Sequence, residues 1–423
     1  MNMKKTVMAL SLTLCASAAW AFPLSQAEGC KADQVGTVGE MFACGSIDGS
    51  IRLNSYSLNN AYFGNTSQDT TSIGGYATYK TAPFYGFQAA VGIEGQRRLA
   101  EGAHAVGELH DHEFGLSEAY VKWQRGKFAV TVGNQRLNLP FVGDYANFRV
   151  LPFLYQGVDM KYGDNDTFVR ATKVHKYKSY ATSEFNQGSR LKDDPFSGFK
   201  HETNGMLALG AGKKIQLGEH YVKGQLWAER YHNLLDIYYG DVLYGMNNVA
   251  WKPEIGVQAI YGTEREDALL GKVNGKIVGI QAKLKPTDKI NWKIAYNHMF
   301  SDGDAWRNGS LPTPYAHNTS SGPIFAQPFF TSTQNLGAGN AFSTELSANI
   351  NASLTAGGRL THVRASTVSG REHTKMTEYL AFASYRFQGK LKGLSISNHI
   401  GAQKRQGTDD PFWQNRLNVT YSF

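Results

Sequence analysis

Asn415-Arg416-Leu417-Asn418-Val419-Thr420-Tyr421-Ser422-Phe423 alternates polar and apolar residues without a break and stops on an aromatic side chain. Leu417, Val419, Tyr421 and Phe423 fall on one face of an extended chain; Arg416, Asn418, Thr420 and Ser422 fall on the other. Successive strand side chains point to opposite sides, so this stretch suits a strand with an apolar medium on one face and water on the other. It predicts the last strand of an all-β protein, a transmembrane antiparallel β-barrel.

The same period recurs upstream. Ile47, Gly49, Ile51 and Leu53 share a face, as do Phe87, Ala89, Val91 and Ile93, then Ala119, Val121 and Trp123, then Phe128, Val130 and Val132. Tight links such as Ala82-Pro83-Phe84-Tyr85, Gly163-Asp164-Asn165-Asp166 and Lys285-Pro286-Thr287-Asp288 take turns with long polar ones, including Ser301 to Asn340. Short periplasmic turns and long extracellular loops are the two ends of an outer-membrane barrel. The rhythm predicts about 18 strands, an even number that leaves both chain ends in the periplasm. Overall hydropathy is that of a soluble chain, yet aromatics reach 12% and Gly numbers 45. A barrel with lipid outside, water inside and aromatic girdles has this mixture.

At the other end, Lys4 and Lys5 precede an apolar run from Val7 to Trp20 and then Ala19-Trp20-Ala21. This is a secretory signal peptide over residues 1–21, with a run shorter than the ~20 apolar residues of a spanning helix. Residues 22–44 form an N-terminal periplasmic segment and 45–423 the barrel. Cleavage takes two positive charges from the formal +8 and leaves Cys30 and Cys44 as the remaining cysteines. In an oxidising periplasm they can close a small disulfide loop; two incidental thiols are the alternative.

Ile73-Gly74-Gly75-Tyr76 through Lys80-Thr81-Ala82-Pro83-Phe84 and Gly86-Phe87, Leu139-Pro140 with Asp144 and Arg149-Val150-Leu151-Pro152 closing on Gln156-Gly157, and Leu391-Lys392-Gly393-Leu394 with the final strand carry a resemblance. In order and spacing the chain resembles the OprD-type family of substrate-specific outer-membrane porins. The resemblance implies an 18-stranded monomeric barrel in the outer membrane of a Gram-negative bacterium. It also implies an inward-folded constriction loop, about 137–156, facing a basic array on the barrel wall. Val150 and the apolar Phe153-Leu154-Tyr155 depart from the family's loop pattern.

Selectivity in a pore is set at its narrowest point by charge and diameter. Strand parity turns Arg52, Lys122, Arg386 and Arg416 inward as a basic array, with Asp144 and Arg149 on the constriction loop. Parity also turns in Asp48, Glu94, Glu118, Asp159, Glu345 and Glu378, so a solvated, mutually paired lining is the alternative. The expected function is passive, moderately selective diffusion of small hydrophilic solutes, with a lean toward anions such as carboxylates. Outer-membrane lipid and lipopolysaccharide surround the barrel, and the C-terminal strand addresses the barrel-assembly machinery. The residues alone leave a trimer open.

Other signals are weaker. His110-Asp111-His112 and Glu264-Arg265-Glu266-Asp267 read as solvated loop residues rather than metal ligands. No cofactor or nucleic-acid motif stands out. A barrel enzyme of phospholipase or protease type is the rival reading, and it needs a Ser–His pair such as His298 with Ser301 or His362 with Ser366.

Overall fold

The computed structural model describes residues 30, 35–109, 111–143, 149–193, 197–316, 323–331, 337–366 and 373–423. The signal segment lies outside these residues. Eighteen strands form one antiparallel sheet, from Ser46–Asn59 to Phe412–Ser422. The sheet closes because the first strand also pairs with the last, from Ser50 opposite Ser422 to Asn59 opposite Trp413. Closure removes both edges; in hydrocarbon each unpaired backbone group costs several kcal/mol.

The burial pattern is inverted relative to a soluble protein. Ile51, Val91, Ile93, Val121, Leu226, Val257, Ile280 and Leu417 are exposed on the outside, while Ser50, Arg52, Asn54, Glu94, Gln414 and Arg416 are buried. The predicted parity of the first and last strands is therefore the observed one. A bulge breaks it elsewhere: Val91 pairs with Ala119 but Ile93 pairs with Leu116. Ser117 and Glu118 consequently both point into the lumen, and the outward set changes from odd to even residues, Phe114 and Leu116.

Connections at the terminal-bearing end are tight. At that end the helix Val38–Ala43, capped by Thr37 Oγ1 accepting from Glu40 N at 3.2 Å, docks its chain onto a turn. Ala82 N donates to Met41 O at 2.8 Å, and Cys44 is bonded to Cys30. Loop length is not strictly segregated, though. Tyr231 and Leu235, which end successive strands on the long-loop side, are joined by residues 232–234 alone.

Two of the long loops that fold inward give the barrel much of its apolar interior on that side. Leu137, Leu139, Phe141 and Val142 pack against Phe153, Tyr155, Tyr177, Tyr231 and Tyr315. Each fully buried side chain of this size contributes about 1.5–3 kcal/mol. The expected loop boundary of 156 is corrected here, because the next strand already begins at Leu154. Tyr155 is buried on the lumen face, beside Tyr315 of the second inward loop, so polar alternation is not needed there.

Candidate functional site in the lumen

The first inward loop, the one expected to narrow the pore, is held at both of its described ends. Arg170 holds Asp159 with Nε at 2.7 Å and Nη2 at 3.1 Å, and reaches Asn138 O at 3.2 Å. Val142–Gly143 pairs in parallel with Tyr315–Ala316 of the second inward loop. Phe141 N donates to Glu229 Oε1 at 3.3 Å, and Tyr231 Oη donates to Phe141 O at 3.1 Å. At the loop's far end, Arg52 Nη1 donates to Arg149 O at 2.7 Å.

That last contact belongs to a charge cluster. Arg416 donates to Glu108 through Nη1 at 2.6 Å and Nη2 at 2.8 Å, the paired-fork geometry that planar guanidinium and carboxylate favour. Arg149 forms an ion pair with the same carboxylate. Tyr62 Oη donates to Glu108 Oε1 at 3.3 Å. Arg416 lies 4.7 Å from the Tyr56 ring centre and 5.4 Å from that of Phe330, and Arg149 4.6 Å from that of Tyr180. Around one carboxylate stand two guanidinium groups, with Arg52 next to them. All three arginines are buried, Arg52 at 8%, Arg149 at 2% and Arg416 at 1% exposure.

Of the six residues expected to select solutes, the structure brings together Arg52, Arg149 and Arg416. Lys122 is half-buried on the inner wall opposite Thr131, close to the tight turn that follows Arg125. Arg386 is exposed at the last residue of its strand, also at the turn end. Neither joins the cluster. Asp144 lies outside the described residues. Among the described residues the arginines meet Glu108, on the loop between the third and fourth strands (Phe87–Glu101 and His112–Arg125). One signal for it was present in the sequence: Val106 and Leu109 flank it in an otherwise polar loop, and both are fully buried.

The remaining inward acids mostly have nearby cations or donors. Asp48 meets Lys80 at 2.8 Å, Glu118 meets Arg136 at 2.7 Å, and Glu94 meets Lys178 at 2.9 Å. Glu345 pairs with Arg359. Glu378 has a different task, shared with Gln258 and Asn297: they accept backbone N–H groups of the second inward loop. Phe325 N donates to Gln258 Oε1 at 2.7 Å, Ala326 N to Asn297 Oδ1, Phe329 N to Glu378 Oε1 and Phe330 N to Glu378 Oε2 at 3.0 Å. A strap over 323–330 is thereby held against the inner wall, and it delivers Phe330 to Arg416.

The weaker sequence signals find other uses. His298 Nδ1 lies 2.7 Å from Asn340 Oδ1 and His362 Nδ1 lies 2.9 Å from Thr377 Oγ1. Glu266 accepts from Asn233 N at 2.9 Å, and that backbone bond holds its carboxyl below the ordinary value. His110 lies outside the described residues.

No family model matches the chain, and no curated protein is similar to it. Solved structures are. An outer membrane protein of Pseudomonas aeruginosa, opdK, superposes with a TM-score of 0.74 at 12% identity, covering 90% of this chain and 99% of that one. Acinetobacter baumannii OccAB2 gives 0.75 at 15% identity over 91% and 99%. Pseudomonas aeruginosa OccK2 (OpdF), in complex with glucuronate, gives 0.73 at 12% identity over 90% and 99%. These neighbours are outer-membrane porins of the OprD type, and the chain shares their closed 18-stranded fold over about nine-tenths of its length.

Proposed function

We propose that the chain is an outer-membrane porin through which small hydrophilic solutes diffuse down their gradients, with a preference for anions such as carboxylates. The fold shared with OprD-type porins supports the channel. One observation supports the preference: Arg416 and Arg149 already hold a carboxylate, that of Glu108, beside Arg52. Neighbours of the same fold were solved with glucuronate and with vanillate, both carboxylates. Diffusion needs no residue to undergo chemistry, and the chain acts as a channel rather than an enzyme.

In such a porin residues 1–21 are the signal peptide, 22–44 a periplasmic segment and the final strand the address read by the barrel-assembly machinery. The barrel sits as a monomer in lipid and lipopolysaccharide. Planar-bilayer recording under a potassium chloride gradient tests the preference through the sign of the reversal potential. Mild anion selectivity, reduced by Arg52→Ala or Arg416→Ala, is expected. Clear cation selectivity that neither replacement alters would overturn it.

A further inference from the structure

We propose that Glu108 is a specificity-determining residue: an internal carboxylate that competes with entering anions for Arg149 and Arg416. The inference rests on the anion-preferring reading above and concerns the same arginines. Glu108 presents both oxygens to the fork of Arg416, Oε2 to Nη1 at 2.6 Å and Oε1 to Nη2 at 2.8 Å, as an incoming carboxylate would. Arg149 and Arg416 are shielded, at 2% and 1% exposure, whereas Glu108 keeps 14%. The wet side of the cluster is therefore its acid, and an anion in the lumen reaches the arginines by way of Glu108.

The loop holds the acid in place without sealing it. Val106 N donates to Thr70 Oγ1 at 2.7 Å, Asp69 N donates to His104 O at 3.1 Å, and Arg98 Nη2 donates to Leu109 O at 3.2 Å. Those bonds anchor the backbone on either side of Glu108, so the side chain can leave the arginines while the loop stays docked. Both Arg149 and Arg416 contact the Glu108 carboxylate, so an anion that displaces it meets two guanidinium groups at once. Exchange of one carboxylate for another costs less than stripping a bare guanidinium pair of its partner. A solute must then match the internal carboxylate, which raises the threshold for weak anions and favours those that bind the fork well.

The test uses the purified full chain in planar bilayers, with glucuronate as the blocking anion. Glu108→Gln should lower the half-blocking glucuronate concentration about tenfold, the effect of one charge-assisted contact. It should also move the reversal potential further toward anions. Glu108→Asp keeps the charge but shortens its reach, and should lie between the two. If Glu108→Gln fails to show the heat-modifiable gel shift of a folded barrel, Glu108→Asp is read in its place. A half-blocking concentration equal to or above that of the parent, in a folded variant, overturns the competition and leaves Glu108 an anchor. A parent channel that glucuronate does not block, or that prefers cations, removes the anion-preferring reading itself and the inference with it.

Discussion

Removing the carboxylate of Glu378 should release one end of the inner strap and widen the pore. Glu378 is fully buried and accepts from Phe329 N, from Phe330 N at 3.0 Å and from Gln403 Nε2 at 2.7 Å. A hydrogen bond to a charged group contributes about 1.5–3 kcal/mol, so the two backbone contacts together hold the strap by roughly 3–6 kcal/mol. Glu378→Ala removes both, though the freed N–H groups can take up lumen water, which favours the lower end. About 3 kcal/mol shifts the docked population by roughly a hundredfold. Gln258 and Asn297 still hold the strap near Phe325 and Ala326, so only the half carrying Phe329 and Phe330 should leave. Phe330 then moves off Arg416 and Phe329 off Arg359, whose guanidinium lies 5.4 Å from its ring centre. Single-channel conductance should rise about twofold as the constriction loses this wall, with weaker discrimination among anions. The barrel's gel shift should be unchanged, because the strand ladder is untouched. Glu378→Gln, which keeps an acceptor, should lie between. Unchanged conductance and discrimination in a folded Glu378→Ala channel would refute the idea that these bonds place the strap.

Lys178→Met leaves the buried carboxylate of Glu94 without the ammonium that meets it at 2.9 Å; a loss of about 3–5 kcal/mol is expected in urea titration from detergent. Adding Glu94→Leu should recover most of it, since a buried ion pair replaced by apolar groups is often neutral. Reducing the Cys30–Cys44 bond, which spans a sequence separation of 14, should loosen the N-terminal segment by about 3 kcal/mol. Faster proteolysis around residues 35–44 with unchanged barrel melting would show this. Asp302 accepts from Asn274 Nδ2 at 2.7 Å and pairs with Lys272 at 3.1 Å, which takes its carboxyl from the usual 3.8 down to about 2. A depressed carboxyl stabilises the folded loop fully above its ordinary value and loses that contribution as pH falls through about 2. Protection factors in residues 265–273 should therefore be steady from pH 7 to 5 and fall between about pH 4 and 2 as opening increases.

Much of the wall was legible from parity because it is a local property. Whether Arg52 or Ile51 faces water depends on which neighbour alternates with which, and that is written in consecutive residues. The same parity runs out at Ser117 and Glu118, where two residues opposite one partner turn the same way, and at Tyr155, where loop side chains replace water on the inner face. It also overrated Lys122 and Arg386 as partners of Arg416, because facing inward says nothing of height along the pore.

The period of the chain thus determined a closed sheet between hydrocarbon and a wet interior, with Arg52 and Arg416 on its inner side. Only the tertiary structure decided what those arginines meet. Glu108 and Arg416 are 308 positions apart, on different elements, and they come together because one extracellular loop buries Val106 and Leu109 against Val150, Leu151 and Phe412. The strap that brings Phe330 to Arg416 is likewise placed by Gln258, Asn297 and Glu378 on three separate strands. A strand's faces follow from its own covalent geometry, whereas contacts across a lumen follow from how several loops share one volume.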